Sequence, residues 1–264
     1  DPAVYQPVPV GRPAHETGQV AVVGGGPAGL SAAHYLSLLG HAVTLFEAED
    51  VLGGMLVSGI PAYRLPRDVL RQEIASLLND HITVRYGQVL GRDITVDGLL
   101  ADGYRAVFVA IGADQSTQLG LAGETVAGVY TSMQFLKAFN LRGEELAGGH
   151  VGIIGGGNSA VDAARVAMRQ ENVESVTLLY RRTDQEMPAY AEEVEAALEE
   201  GVRLETLVSP VKIRHIGAAV REGVKVETMI SPIRIHAQAG RLVGIECIRN
   251  RLGEPDASGC CRPV

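Results

Sequence analysis

Two glycine clusters carry the chemistry that this sequence suggests. The first is Gly24-Gly25-Gly26-Pro27-Ala28-Gly29, and the second is Gly155-Gly156-Gly157, followed three residues later by Ala160. A pyrophosphate needs backbone N–H groups at close range and a helix N-terminus, and side chains at such a turn would keep it away. Each cluster therefore predicts a turn that binds the phosphates of a dinucleotide.

The first cluster is followed, one helix and one strand later, by a residue that can bind a ribose. Gly24 permits the tight turn, Gly26 lets the phosphates approach, and Gly29 lets the helix pack closely on the strand. Glu47 lies 18 positions beyond Gly29, where a carboxylate accepts hydrogen bonds from ribose hydroxyls and repels a 2′-phosphate. This unit suits FAD or NAD and disfavours NADP.

The second cluster is followed by residues of opposite charge at the corresponding position. Small residues fill the three motif positions at Gly155, Gly157 and Ala160, and Asn158-Ser159 either caps the helix or contacts phosphate, two uses of equal weight. In place of a carboxylate, Tyr180-Arg181-Arg182 offers two guanidinium groups that can form paired hydrogen bonds with a phosphate. This unit favours NADP over NAD. Two nucleotides bound at once indicate hydride transfer from a nicotinamide to a flavin.

Strand, helix and strand patterns surround both clusters. The predicted elements are, in chain order, strand Val20 to Val23, helix Leu30 to Leu39, strand Ala42 to Phe46, helix Arg67 to Asp80, strand Ile82 to Tyr86, buried strand Tyr104 to Ile111, a short helix around Ser132 to Phe139, strand His150 to Ile154, helix Asn158 to Arg169, strand Ser175 to Tyr180 and an acidic, solvated helix Ala191 to Glu200. The glycine-rich stretch 51–65 is expected to lack regular structure and to line something.

These elements predict an α/β fold with two Rossmann-like dinucleotide-binding domains. We expect an extended lead-in over residues 1–18, a first domain over 19–146 and a second over 147–264. A smaller repeat relates residues 200–213 to 222–235 and is interpreted as a tandem duplication of a surface β-element.

Composition excludes several classes of function. The chain has 264 residues and a net charge of −8, which disfavours nucleic acid and anionic membranes as partners. Its apolar runs are too short to span a membrane, and its 3 cysteines fit a reducing compartment, so we expect a cytoplasmic protein. The 7 histidines show no ligand spacing, and no metal site is predicted.

Longer stretches resemble one family. VAVVGGGPAGLSAA, GGMLVSGIPAYRLP, GIIGGGNSAVDAAR and YRRTDQEMP are similar to the small (beta) subunit of NADPH-dependent glutamate synthase and to the related flavin module of dihydropyrimidine dehydrogenase. The resemblance covers nearly all of residues 8–264. It implies a partial FAD domain with an NADPH domain inserted into it. It also implies that electrons pass from FAD to iron-sulfur clusters and on to a larger catalytic subunit or iron-sulfur domain.

The resemblance further implies which residues bind each nucleotide. The FAD pyrophosphate and adenosine would be bound by Gly24, Gly26, Pro27, Ala28, Gly29 and Glu47, the flavin side would be lined by Gly54, Met55 and Arg64, and Leu90, Ala110 and Gly112 would pack near the adenine or pyrophosphate. NADPH would be held by Gly156, Gly157, Asn158, Ser159, Arg181 and Arg182. A guanidinium buried in an apolar loop needs an anion, and for Arg64 a flavin pyrophosphate is a better candidate than a nearby carboxylate. We expect no catalytic acid or base, because hydride passes directly between the two rings.

The chain departs from the family in three respects. No cysteine precedes Gln19, where the family carries its iron-sulfur segment, and the stretch that returns to the FAD domain does not occur before Val264. Relatives usually have basic residues where Cys260-Cys261 stand. We therefore expect a fragment or truncated homologue. The alternative function is a non-catalytic nucleotide-binding or assembly fragment without stable FAD. A thioredoxin-reductase-like enzyme is disfavoured because the sequence has no CxxC pair.

Overall fold

A computed structural model describes residues 18–113, 115–120 and 124–208, together with the backbone of the later strands. The chain divides into two compact units, one ending at residue 114 and the other beginning at residue 115. The predicted domain limits at residues 18 and 146 stay predictions. The lead-in up to residue 17, most of the second repeat copy at 222–229, and Cys260 lie outside the described residues.

Unit 1 is built on a parallel sheet. Its strands are β1 (Val20–Val23), β2 (Val43–Phe46), β3 (Ile82–Arg85) and β4 (Ala106–Val109), in the order β3-β2-β1-β4 among the described residues. Every residue of β1 and β2 is buried, as expected for apolar runs at the centre of a parallel sheet. The α/β fold predicted from the sequence is confirmed.

Four helices accompany this sheet within the described part of unit 1: α1 (Pro27–Leu38), α2 (Met55–Ser58), α3 (Arg67–Leu77) and α4 (Val96–Ala101). Pro27 suits the first position of α1 because its fixed φ is helical and it has no N–H to leave unpaired. The Nδ1 atom of buried His34 lies 2.9 Å from the carbonyl oxygen of Leu77, which joins α1 to the end of α3. The stretch 51–65, predicted to be irregular, contains α2. Its helix is short enough to be hidden by the surrounding glycines and prolines.

Strand β4 differs from its prediction. The sequence predicted a buried strand from Tyr104 to Ile111, but β4 spans only Ala106–Val109, with Phe108 44% and Val109 48% exposed. Side chains of successive strand residues point to opposite faces of the sheet, so exposure of both Phe108 and Val109 shows that the described residues leave both faces of β4 partly uncovered there. Strand β4 also lies at the edge of the sheet, pairing with β1 alone among the described strands. Tyr104 is buried, and its ring meets the Phe46 ring edge-on at 5.9 Å.

Unit 2 repeats the strand, helix, strand arrangement. Its parallel sheet has the order β5 (Gly149–Ile154), β6 (Val173–Tyr180), β7 (Arg203–Thr206). Helix α5 (Ser132–Arg142) begins at a capping box of Thr131 and Gln134, and it extends beyond the short helix that the sequence predicted. Helices α6 (Asn158–Met168) and α7 (Ala191–Glu199) complete the described helices of this unit. Buried side chains from α5, α6 and β6 form its core: Phe135, Leu136, Val161, Val166, Val176 and Leu178.

The later strands are antiparallel. Strands β8 (Ile213–His215), β9 (Ile230–Gln238) and β10 (Arg241–Arg249) pair in the order β8-β10-β9, and β11 (Leu252–Pro255) pairs with β12 (Cys261–Pro263). Within the part of the chain that the structure describes, no helix combines the length and the apolar character needed to cross a membrane.

Helix α7 was predicted as a simple solvated face, and this prediction is wrong in part. Arg165 on α6 contacts the carboxylates of Glu193 and Glu200, and Arg169 donates to both oxygens of Glu200 at 2.6 and 2.7 Å. These ion pairs join α6 to α7 and the residue that follows it. The hydrogen bond from Arg169 lowers the pKa of Glu200 to about 2 from its usual 4.5, with a further contribution from Arg165. The acidic pattern hid this network because its basic partners lie about 30 positions earlier.

Candidate functional site

The first glycine turn joins β1 to α1, and two of its glycines are required by the chain itself. Gly24 has a φ of +109°, and a Cβ there would lie 2.2 Å from the carbonyl oxygen of Ala110. A Cβ on Gly29 would lie 1.8 Å from the carbonyl oxygen of Gly24. No side chain fits at either position, so these residues close the turn and let α1 approach it.

Gly26 has a different role. Its φ is −76°, which any residue adopts, and a Cβ there would meet only the Gly54 Cα, at an ordinary 3.8 Å. The chain's own packing therefore does not require glycine here. A side chain would instead fill the space beside the first turn of α1, where the N–H groups of Ala28 and Gly29 have no partner within the helix and no side chain of the described residues caps them. This space fits a pyrophosphate.

Glu47 is bonded directly to this turn. It follows β2, is only 7% exposed, and its Oε2 accepts a hydrogen bond from the Gly25 N–H at 2.6 Å. Its Oε1 accepts from the Glu49 N–H at 2.8 Å. Because each carboxylate oxygen can accept a second hydrogen bond, Glu47 can still bind ribose hydroxyls.

A second glycine pair lies against the first turn. The Gly53 N–H donates to the Gly25 carbonyl oxygen at 2.8 Å, and a Cβ on Gly54 would lie 2.8 Å from the Gly26 Cα. Gly54 has a φ of +50° and precedes α2, whose first residue is Met55. The structure thus brings Gly54 next to Gly26, and Met55 follows directly; their place beside a flavin stays a prediction.

Arg67 is the residue of this site that the sequence reasoning missed. Its guanidinium donates to the carbonyl oxygens of Ile60 at 2.7 Å and Val57 at 3.0 Å, and at longer range to those of Leu56 and Leu65. Burial lowers its pKa. A cation at the first position of α3 opposes the helix dipole, which is a sequence signal that Arg67 has another role.

The remaining residues of the expected FAD set are placed less directly. Ala110 adjoins the turn, since its N–H donates to the Val23 carbonyl oxygen at 2.7 Å. Arg64 is half-buried rather than buried, in the loop before α3. Leu90 packs on the apolar cluster that includes Phe46. Gly112 is exposed with open space around it, and no contact described in the structure joins it to the turn.

The second turn has the same division of roles. Gly155 has a φ of +141°, and a Cβ there would lie 3.1 Å from the Ala160 Cβ. This close approach explains why both positions 155 and 160 have small residues. A Cβ on Gly156 would lie 2.5 Å from the Tyr180 ring. Gly157, in contrast, has a φ of −91° and room for a Cβ, with Pro188 4.0 Å away. Gly157 is the counterpart of Gly26, with open space at the start of α6.

Asn158 and Ser159 begin α6 after the N-cap Gly157, and no side chain in the described part of the chain caps this helix. The Asn158 Oδ1 accepts a hydrogen bond from the Tyr190 N–H at 3.0 Å. The capping use is therefore not seen for Asn158, and its amide N–H groups are the part of the side chain that can donate to a phosphate. Ser159 is exposed beside it.

Arg181 and Arg182 follow β6 immediately, and both are exposed. Neither guanidinium makes a side-chain hydrogen bond or ion pair with another residue in the described ranges, whereas Arg165 and Arg169 in the same unit are fully engaged. Two adjacent cations at the end of the strand that follows the glycine turn are available to an anionic ligand.

Comparison with known proteins gives a family and several relatives. The sequence profile of the pyridine nucleotide-disulphide oxidoreductase family matches residues 18–236. The NADP(+)-dependent formate dehydrogenase subunit beta of Moorella thermoacetica is 43% identical over 93% of this chain and 32% of its own length. The NADPH-Fe(3+) oxidoreductase subunit beta of Geobacter sulfurreducens is 38% identical over 93% of this chain and 34% of its own length.

The glutamate synthase [NADPH] small chain of Escherichia coli is 34% identical over 92% of this chain and 49% of its own length. The resemblance noted in the sequence is thereby confirmed, and the chain spans about a third to a half of these relatives. Among solved structures, FprA, an oxidoreductase of Mycobacterium tuberculosis, superposes with a TM-score of 0.69 over 94% of this chain and 67% of its own, at 19% identity. That similarity shows the fold.

Proposed function

The chain belongs to the pyridine nucleotide-disulphide oxidoreductase family, and on this premise we propose that it is an NADPH-dependent flavoprotein oxidoreductase of the glutamate synthase small-subunit type. Unit 1 holds FAD and unit 2 holds NADPH. The observation that carries the proposal is the pair of glycine turns, each with one glycine that the chain's own packing does not require, joined to opposite charges at the ribose position.

Unit 1 is suited to FAD because its ribose position is negative. Glu47 is fixed by two backbone N–H groups, so it stays aimed beside the glycine turn and repels a 2′-phosphate. The N–H groups of Ala28 and Gly29 bind the pyrophosphate. Gly54 and Met55 lie along the same turn and border the flavin side, and Arg67 holds their loop in place.

Unit 2 is suited to NADPH because its ribose position is positive. Arg181 and Arg182 bind the 2′-phosphate, and the Asn158 amide donates to the pyrophosphate alongside the start of α6. A charge-assisted hydrogen bond to a phosphate is worth about 1.5–3 kcal/mol, which corresponds to at least a tenfold preference for NADPH over NADH.

FAD supplies the chemistry of this function, since a flavin takes up a hydride from a nicotinamide and releases electrons one at a time. The chain's own residues bind and orient the two dinucleotides. None is proposed as an acid or base. We further propose that the electrons leave toward iron-sulfur clusters in another segment or partner subunit. The names of the relatives, which describe beta subunits and a small chain, support a larger partner as the receiver of the electrons.

Anaerobic titration of the FAD-loaded protein tests the proposal. We expect NADPH to bleach the flavin absorbance at concentrations at least about tenfold below those of NADH. If NADH bleached the flavin at the same concentrations as NADPH, Arg181 and Arg182 would not determine coenzyme preference. A protein that binds NADPH but retains no FAD would favour the alternative, a non-catalytic nucleotide-binding fragment.

A further inference from the structure

The segment after β6 folds back over the second glycine turn. The Ala189 N–H donates to the Gly156 carbonyl oxygen at 3.0 Å, and the Tyr190 N–H donates to Asn158 Oδ1 at the same distance. Residues 181–190 thus form a closed loop that begins with the two arginines and ends on the turn. We call this segment the arginine loop.

Tyr180 connects both ends of the arginine loop. It is the last residue of β6, is 8% exposed, and its ring fills the space where a Gly156 side chain would lie. Its hydroxyl donates to the Glu186 carbonyl oxygen at 2.8 Å. One side chain therefore sets both the spacing between β6 and the glycine turn and the position of the middle of the loop.

A short 3-10 turn (Asp184–Glu186) stiffens the loop just after the arginines. The Thr183 hydroxyl donates to Glu186 Oε2 at 2.9 Å, and the Thr183 N–H donates to the same oxygen at 3.3 Å. These local bonds restrict the backbone that follows Arg182.

The backbone of the arginine pair is also held from the other side. The Val208 N–H donates to the Tyr180 carbonyl oxygen at 2.9 Å, and the Leu207 N–H donates to the Arg182 carbonyl oxygen at 3.0 Å. Leu207 has a φ of +58°, the one positive φ at a non-glycine residue in the described ranges. Such strain persists where surrounding contacts over-determine the backbone, and it concentrates at functional sites.

We propose that Tyr180 is a positioning residue that determines specificity for the 2′-phosphate, acting through the backbone of Arg181 and Arg182. This inference rests on the proposed NADPH site and adds a residue to it. The guanidinium groups are exposed and unpaired within the described residues, whereas their backbone is bonded on both sides. A preorganised pair loses less freedom on binding than a mobile pair, so the hydroxyl should raise affinity only for ligands that carry a 2′-phosphate.

The test compares two adenosine ligands by calorimetry, with no flavin needed. Adenosine 2′,5′-bisphosphate carries the 2′-phosphate, and AMP lacks it. In Tyr180→Phe we expect affinity for the bisphosphate to fall about 3- to 10-fold, as for one lost hydrogen bond, and affinity for AMP to stay unchanged. Tyr130→Phe removes a hydroxyl from a tyrosine of the same unit that is 44% exposed, and it should change neither affinity.

Thr183→Val provides a second variant, which keeps Tyr180 intact and removes the hydrogen bond from the Thr183 hydroxyl to Glu186 in the same loop. It should show the same selective loss, and thermal unfolding of each variant reports whether the fold is retained. An equal loss for both ligands in Tyr180→Phe, or no loss in that variant, would overturn the positioning role of Tyr180 whatever Thr183→Val shows. If the unaltered protein itself binds the bisphosphate no better than AMP, the proposed NADPH site fails, and the inference fails with it.

Discussion

Replacement of Gly26 by alanine separates the requirements of the fold from those of a bound pyrophosphate. The added methyl group would meet only the Gly54 Cα at 3.8 Å, and the φ of −76° suits alanine. Alanine is a poorer N-cap than glycine, but it also lowers the entropy of the unfolded chain, and the two effects nearly cancel. The free energy of unfolding should therefore change by less than about 1 kcal/mol.

The effect on FAD should be much larger. The methyl group would occupy the space beside the N–H groups of Ala28 and Gly29, so the pyrophosphate would move away from them. Loss of one charge-assisted hydrogen bond corresponds to about 1.5–3 kcal/mol, or roughly a 10- to 150-fold rise in the Kd for FAD. Quenching of flavin fluorescence measures this Kd, and thermal unfolding of the flavin-free protein measures stability.

Two further alanine variants make the comparison sharp. Gly29→Ala should lower both stability and FAD affinity, because its Cβ would lie 1.8 Å from the Gly24 carbonyl oxygen. Gly148→Ala, in unit 2, should lower neither, because its Cβ would lie 3.7 Å from the nearest atom, the Asn172 carbonyl oxygen. If Gly26→Ala bound FAD as tightly as the unaltered protein, the pyrophosphate would not lie at this turn.

Three other substitutions have defined outcomes. Glu47→Gln places an amide NH₂ against a backbone N–H, so the unfolding free energy should fall by about 1–3 kcal/mol. The control is Glu73→Gln, at an exposed position of α3. Equal melting temperatures of the two variants would contradict this expectation. Arg67→Met removes the donor to four carbonyl oxygens around α2 and should weaken FAD binding at least tenfold, with partial recovery in Arg67→Lys. The control Arg71→Met, on the exposed side of α3, should leave FAD binding unchanged. Unchanged FAD affinity in Arg67→Met would exclude the positioning role of Arg67. The pKa of Glu200 is lowered from 4.5 in the unfolded chain to about 2 in the folded state. The ionised Glu200 therefore stabilises the fold fully when the pH is above 4.5, and this contribution disappears as the pH falls toward 2. In urea unfolding, the deficit of Glu200→Gln should be constant near neutral pH and shrink between pH 4.5 and pH 2, and a deficit independent of pH would disprove the ion-pair explanation.

Local patterns determined what could be predicted. The central strands, both glycine turns and the charged residues that follow β2 and β6 could be predicted from short stretches of sequence, because strand, turn and helix signals there agree. Burial of β4 was predicted wrongly, since an apolar run does not reveal whether other elements cover the two faces of the strand. The contacts of Arg67 and the Arg165 network were missed because their partners are backbone carbonyls or side chains distant in sequence. The back-folding of the arginine loop onto the turn likewise depends on tertiary contacts that no spacing encodes.

Calorimetric titration of both dinucleotides into one preparation tests the presence of two differently charged sites most directly. We predict one FAD and one NADP⁺ bound per chain without mutual competition. Gly26→Ala should weaken only FAD binding, and Arg181→Gln combined with Arg182→Gln should weaken only NADP⁺ binding. Competition between the two ligands for a single site, or loss of both affinities in either variant, would contradict the presence of two separate dinucleotide sites.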